Sequence, residues 1–282
     1  MTRPYFDDLP RLFAQNDAAA LQAFGKHIHW GFWPDPATAD GSLEDFFQAA
    51  EGLSRQLLAH GDIHDGLRIL DAGCGFGGTV ALLNGEYQNL QLTGININGE
   101  QVDRATQTVQ PRGTNQITFV QGNACQLPFA DQSFDLVLAV ECIFAFPSRE
   151  DFFAEVRRVL TPGGRLVLCD FLIPNGLGAI WKAFEGVTNF LVTRSYGKLT
   201  AENNPPINFW TFAQYAQLAE TKGLSSLKIE DITPNTLPTY PVVNRLMKAV
   251  DPSSTGATSG LAFLSRLGAI RYVILSYQMP LA

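Results

Sequence analysis

Asp71-Ala72-Gly73-Cys74-Gly75-Phe76-Gly77-Gly78 follows a short apolar run, Leu67-Arg68-Ile69-Leu70, and leads into Thr79-Val80-Ala81-Leu82-Leu83. Glycines at this density let a backbone turn sharply at a strand's end and approach a ligand just before a helix N-terminus. Gly73 to Gly78 has the spacing G-x-G-x-x-G, a fingerprint that dinucleotide enzymes also carry. The loop predicts strand, turn and helix. It leaves the ligand open.

On either side the pattern repeats. Leu90 to Ile97 reads as a second strand, with Asn98 capping the next helix and Gln101 placed for a capping box. Ile117-Thr118-Phe119-Val120 is a third strand, and Phe134 to Val140, continuously apolar, is a fourth, buried on both faces. Ser148 caps a helix bearing Phe152, Phe153, Val156 and Leu160 that stops at Thr161-Pro162-Gly163-Gly164; Arg165 to Cys169 is a fifth strand. Upstream, Ser42 caps a helix whose Phe46, Phe47, Ala50, Leu53, Leu57 and Leu58 share one face, ending near His60-Gly61. Strands alternating with helices imply right-handed crossovers and a mostly parallel sheet, an α/β fold.

After Phe171 the rhythm breaks. Residues 174–222 are aromatic-rich and helical in pattern, and Leu227 to Thr233 and Tyr272 to Gln278 read as two late strands. Insertions over the carboxyl edge of such a sheet commonly form lids. The expected organisation is an N-terminal helical segment or lid over 1–66, a ligand-binding core over 67–173, a helical lid over 174–226, and the C-terminal part of the sheet over 227–282.

The chain has 282 residues, 46% hydrophobic and 17% charged, with a net charge of −7. That length supports a core without staples, and the negative charge disfavours nucleic acid or anionic membrane as partner. No apolar signal core opens the chain and no run approaches a membrane span, so a cytoplasmic protein without stable membrane insertion is expected. Cys74, Cys125, Cys142 and Cys169 show no metal spacing and read as small buried thiols. Nothing in the pattern decides between monomer and homodimer.

Four features bear on the loop's ligand. Asp71, two residues before Gly73, suits an ammonium better than a pyrophosphate. The acid that would hold an NAD ribose on strand two is absent, with Asn96 and Asn98 there instead. Gly122 to Phe129 follows strand three, with Asp131-Gln132-Ser133-Phe134-Asp135 leading into strand four. Leu160 to Leu166 is a helix stop entering strand five. This ordered set resembles the class I S-adenosylmethionine (SAM)-dependent methyltransferases over about residues 67–171. The resemblance implies a Rossmann-like seven-stranded sheet whose last strand, near Tyr272–Gln278, is antiparallel. It also implies that Asp71, Gly73 and Gly75 contact the methionine part of SAM, Asn96 the ribose, Asn123 and Ala124 the adenine, and Val140 with Glu141 the methionine side; Gln101 is a further cofactor-binding candidate. Asn96 and Asn123 stand where the family often has acids; an amide oxygen still accepts a hydrogen bond, without charge assistance.

Lys26-His27-Ile28-His29-Trp30-Gly31-Phe32-Trp33-Pro34-Asp35 resembles a segment of small-molecule methyltransferases that folds over SAM and lines the acceptor cavity. Trp30 is either such a wall or a buried anchor for the N-terminal helices. His29 is a candidate base or donor; His27 and His29 lack the further ligands zinc needs, so no metal is expected. Glu141 is either a base or an acceptor for backbone amides, and Phe144 makes the wall beside it apolar. Trp181, among the aromatics of 174–250, and Tyr240, in a proline-flanked loop, are further acceptor-side candidates. Together these predict methyl transfer to N or O of a hydrophobic small molecule of specialised metabolism, with S-adenosylhomocysteine (SAH) as product. The alternatives are C-methylation of a terpenoid, sterol or prenylquinone and, from another class, an NAD-dependent oxidoreductase.

Overall fold

The computed structural model describes residues 24–182, 209–250 and 255–281. The N-terminal pattern before residue 24 and the aromatic stretch 183–208, with Phe184, Phe190 and Tyr196, lie outside the described residues.

One sheet organises the rest. Its strands are β1 (Arg68–Ala72), β2 (Gln91–Asn96), β3 (Gln116–Gln121), β4 (Phe134–Val140), β5 (Leu160–Ile173), a two-residue β6 (Trp210–Thr211), β7 (Ser225–Asp231) and β8 (Arg271–Gln278). They lie in the order β3-β2-β1-β4-β5-β8-β7, with β6 beside the end of β5. Pairings from β3 through β5 are parallel, and β8 runs antiparallel to both of its neighbours. The fold expected from the sequence is the one present, including the reversed last strand.

Helices α1 (Leu43–Leu58), α2 (Gly78–Glu86), α3 (Gly99–Thr108), α4 (Arg149–Val159), α5 (Phe212–Thr221), α6 (Thr233–Thr236), α7 (Thr239–Val250) and α8 (Thr255–Arg266) accompany the sheet, with short 3-10 turns at Pro36–Thr38, Ile143–Ala145 and Asn175–Leu177. Ser42 Oγ accepts from Asp45 N, and Ser148 Oγ from Asp151 N, each at 3.0 Å, as N-caps do. The central strands are buried on both sides. On β4, Val137 and Ala139 join a cluster with Phe152, Phe153 and Val156 of α4, while Leu136, Leu138 and Val140 join one with Leu53 and Leu57 of α1 and Val80 and Leu83 of α2. A continuously apolar strand is what such two-sided burial requires.

Three local expectations change. Gln101 does not complete a capping box: its Oε1 accepts from Asn96 Nδ2 at 2.9 Å, while Asn98 N donates to Asn96 Oδ1 at 3.1 Å. The Asn96 amide takes both groups the box would have joined. Residues 209–226, placed with the lid from their aromatic content, pack on the sheet through Tyr215, Leu218, Ala219 and Leu224. β6 extends the sheet, and α5 buries Tyr215 and Leu218 against Phe153 and Tyr277 on its way to β7. The proline-flanked loop around Tyr240 is the first turn of α7, since proline is tolerated in a helix's opening turn.

Candidate cofactor and acceptor site

The glycine loop leaves β1 at its carboxyl end. Gly73, Gly75 and Gly77 have φ of +80°, +54° and +78°, a region L-residues rarely adopt. A Cβ on Gly73 would lie 2.7 Å from Cys142 Cβ, and one on Gly77 would lie 2.8 Å from the Phe119 ring. Gly73 N and Cys74 N both donate to Ile95 O, at 2.8 and 3.1 Å, pinning the turn between β1 and β2.

This turn forms the floor of a cavity. Asp71, Gly73, Gly75, Asn96, Gln101, Asn123, Ala124, Val140, Glu141 and His29 all line it, so the structure brings together every cofactor residue expected from the sequence and both catalytic candidates. Asp71 is buried and accepts no hydrogen bond from a described residue; burial pushes its carboxyl up to about 7. A carboxyl group at the cavity floor with no described partner suits a cationic ligand group. Asn123 Oδ1 accepts from Cys125 N at 2.9 Å, which fixes the turn after β3. Orphaned Asp71 and a glycine cradle closed to side chains fit the amino-acid end of SAM.

Glu141, at the end of β4, holds φ +48°, a strained choice for a residue with a Cβ that costs of order 1–2 kcal/mol. Its Oε2 accepts from Trp30 N at 2.9 Å and from Tyr272 Oη at 2.5 Å. Burial nonetheless raises it to about 8, against those two donors. Glu141 therefore ties the N-terminal aromatic segment to the sheet. His29 is buried, with Nδ1 2.9 Å from Trp30 O, and burial lowers it to about 4, which makes it a weak base. Among the described residues no group of three metal-binding side chains occurs.

The four acceptor-side candidates lie outside this cavity's lining. Three of them join one aromatic wall. Trp30 packs edge-on to Phe171 (5.0 Å), Phe144 lies 6.4 Å from Phe171, and Trp181 reaches it through Phe209 (5.5 and 6.3 Å). Tyr240 is buried behind Trp30 at 4.2 Å, and its hydroxyl is 2.7 Å from Ser265 Oγ. It supports the wall from behind. Sequence reasoning missed Phe171 and Tyr272, whose meeting depends on strands far apart in the chain; the apolar run through β5 is the signal available for Phe171.

Comparison with known proteins adds the family. Residues 70–168 match the family described as "Methyltransferase domain". Methyltransferase GfsG of Streptomyces halstedii is 31% identical over 222 residues, covering 78% of this chain and 73% of that one. The chain belongs to the class I SAM-dependent methyltransferases. This methyltransferase is also 33% identical over 183 residues to 27-O-demethylrifamycin SV methyltransferase of Amycolatopsis mediterranei, covering 64% of this chain and 65% of that one. Its fold is shared with geranyl diphosphate C-methyltransferase of Streptomyces coelicolor A3(2), solved with Mg2+, geranyl diphosphate and SAH (TM-score 0.68, 20% identity, 98% and 97% of the two chains). The enzyme uses SAM and acts on small molecules, and the NAD-dependent alternative falls with this membership.

Proposed function

We propose that this methyltransferase transfers the methyl group to an oxygen or nitrogen of a hydrophobic specialised metabolite. The observation that carries the reading is the engagement of Glu141. It is the carboxyl group at the end of β4 that lines the cavity, and its Oε2 is already taken by two donors, Trp30 N and Tyr272 Oη, while burial pushes it up to about 8. Transfer to carbon leaves a proton that a base must remove afterwards, whereas an amine or an acidic hydroxyl needs little help. The likeness to 27-O-demethylrifamycin SV methyltransferase supports the substrate class.

SAM supplies an electrophilic methyl group on a sulfonium. For the chain's own residues, Asp71 holds the ammonium, with Gly73, Gly75 and Val140 along the methionine. Asn96 and Gln101 take the ribose side, and Asn123 with Ala124 the adenine. Trp30, Phe144 and Trp181, with Phe171, hold the acceptor and exclude water, with Tyr240 behind. Positioning of this kind is worth up to ~7–11 kcal/mol. The core over 67–173 binds SAM, and segments before and after it cover the acceptor.

One observation favours C-methylation instead: Trp30, Phe171 and Tyr272 lie within 4.5–6.1 Å of one another, a set of ring faces suited to a developing cation. Labelled SAM offered with phenols, alcohols, amines and prenylated hydrocarbons separates the two. The expected product carries a new O–CH3 or N–CH3 by NMR, and Glu141→Gln changes kcat by less than about tenfold. A new C–CH3 together with a far larger loss in Glu141→Gln would transfer the assignment to carbon.

A further inference from the structure

The sheet has two edges, and they are finished differently. On β3 the exposed residues are Gln116, Thr118 and Gln121, while Ile117, Phe119 and Val120 are half-buried. β7 bonds β8 on one side, and among the described residues no strand lies on its other side. Ser225 to Ile229 are all exposed, with Leu227 at 45% and Ile229 at 50%. An open edge presents a row of unpaired N–H and C=O groups, which natural sheets normally cover or blunt. Two exposed apolar side chains on such an edge call for a partner strand.

Backbone direction fixes which groups are free. Ile232 N donates to Tyr272 O at 2.9 Å, and Ser276 Oγ reaches Lys228 O at 3.4 Å. Lys228, Glu230 and Ile232 therefore turn their backbone groups towards β8, and by strand alternation Ile229 and Asp231 turn theirs outward. The side chains divide in the same rhythm. Ile229 lies opposite the buried Leu275 of β8, at the rim of the core cluster that holds Phe153 and Tyr277. Lys228 and Glu230 lie on the other face. Gln56 Nε2 of α1 donates to Glu230 at 2.9 Å, His60 Nε2 just past that helix lies 2.5 Å from it, and Lys228 Nζ lies at 3.5 Å.

We propose that β7 pairs antiparallel with β7 of a second copy of this chain, on a two-fold axis through Ile229. Ile229 exchanges both of its outward-facing backbone hydrogen bonds with its twin. The same register sets Lys228 opposite Glu230 of the second copy, and Glu230 opposite its Lys228, so both crossings pair opposite charges. Moving the axis to either neighbour sets Lys228 against Lys228 or Glu230 against Glu230. On the opposite face the two Ile229 side chains meet beside Leu275 and continue the core cluster across the axis. The bulge between Ser226 and Lys228 ends the regular edge. Pairing uses up the edge of both copies, so the assembly closes as a dimer. No residue of β7 lines the cofactor cavity, and each copy keeps a complete site. An edge of seven residues is a small interface, so a dimer that dissociates in the micromolar range is expected.

The test is sedimentation velocity of the full chain over about 1–200 µM, with SAH binding to show that each variant is folded. The wild type is expected to pass from monomer to dimer mass across that range. Ile229→Lys sets two cations across the axis, and Lys228→Glu turns both attractions into repulsions. Each is expected to weaken association at least about tenfold while binding SAH as the wild type does. Glu230→Lys alone is expected to stay monomeric. An equimolar mixture of the Lys228→Glu and Glu230→Lys chains is expected to dimerise again, because the mixed pair regains opposite charges at both crossings. A wild type that is monomeric throughout overturns the proposal. So does a dimer that Ile229→Lys and Lys228→Glu leave unchanged, since its contact then lies on another face. A mixture that fails to associate, with both chains binding SAH, overturns the register. Ile229→Lys and Lys228→Glu leave the His60 tie and the buried core in place, so they decide the matter even if Glu230→Lys does not fold.

Discussion

Asp71 and Glu141 end neighbouring strands, and both are carboxyl groups taken out of water, with different partners. Glu141 has a backbone amide and a tyrosine hydroxyl; Asp71 has no described donor. An acid at about 7 stands about three units above its ordinary value. At ~1.4 kcal/mol per unit, ionising it in the ligand-free fold costs about 4 kcal/mol as an upper bound. Because the folded pKa is raised, that cost is absent below about pH 4, grows with pH, and is complete above about pH 7. Asp71→Asn is therefore expected to make the free protein more stable than wild type at pH ~8 by a few kcal/mol, with no difference near pH ~4. Urea unfolding at the two values reads this. The same variant is expected to bind SAH at least about tenfold more weakly, having lost a charge-assisted bond. Asp71 is legible in the sequence because its place is set by the adjoining glycines. The partners of Glu141 were not, since Trp30 and Tyr272 lie 111 and 131 residues away.

The element that completes the site is the aromatic segment, and it is held by straps from several directions. Trp30 N donates to Glu141, Gly31 N to Thr239 Oγ1 at 3.0 Å, Phe32 N to Ala49 O at 2.8 Å, and Trp33 Nε1 to Asp45 Oδ2 at 3.0 Å. Trp33 packs with Phe24, Phe46 and Val242 in a third cluster between α1 and α7. Thr239→Val keeps the shape and removes the acceptor, leaving Gly31 N–H buried and unpaired. A loss of about 1–3 kcal/mol in unfolding free energy is expected, with weaker SAH binding in step as the segment loosens. Unchanged stability would show the strap to be idle. Helix caps at Ser42 and Ser148 were readable because a cap is a contact over three residues. Gln101 misled because its rival partner, Asn96, satisfies the same local geometry.

At the scale of the whole molecule, α4, β5 and α5 are joined by a buried charge network. Arg149 of α4 reaches Asp170 of β5 at 3.0 Å and Tyr215 of α5 at 2.9 Å, and the Tyr215 hydroxyl donates to Asp170. The Arg149 guanidinium also lies over the Trp210 ring at 5.2 Å. Asp170→Ala strands that cation in the core, and thermal or urea unfolding is expected to show a loss of about 3–5 kcal/mol. Tyr215→Phe, which leaves the ion pair, is expected to cost less. Tyr215 and Leu218 of α5 pack on the face of the sheet carried by β5 and β8, a placement that the aromatic content of 209–226 does not reveal by itself. The sequence by itself determined the parallel strands, the glycine turn, the caps and the set of residues that line the cavity at the ends of β1 to β4, because each depends on residues close in the chain or on burial of every side chain of a strand. Tertiary structure alone decided that Glu141 is a tie between segments and that Tyr240 stands behind the wall. Those roles come from hydrogen bonds and ring contacts between strands and helices brought together by the crossovers, and no local pattern encodes such a meeting.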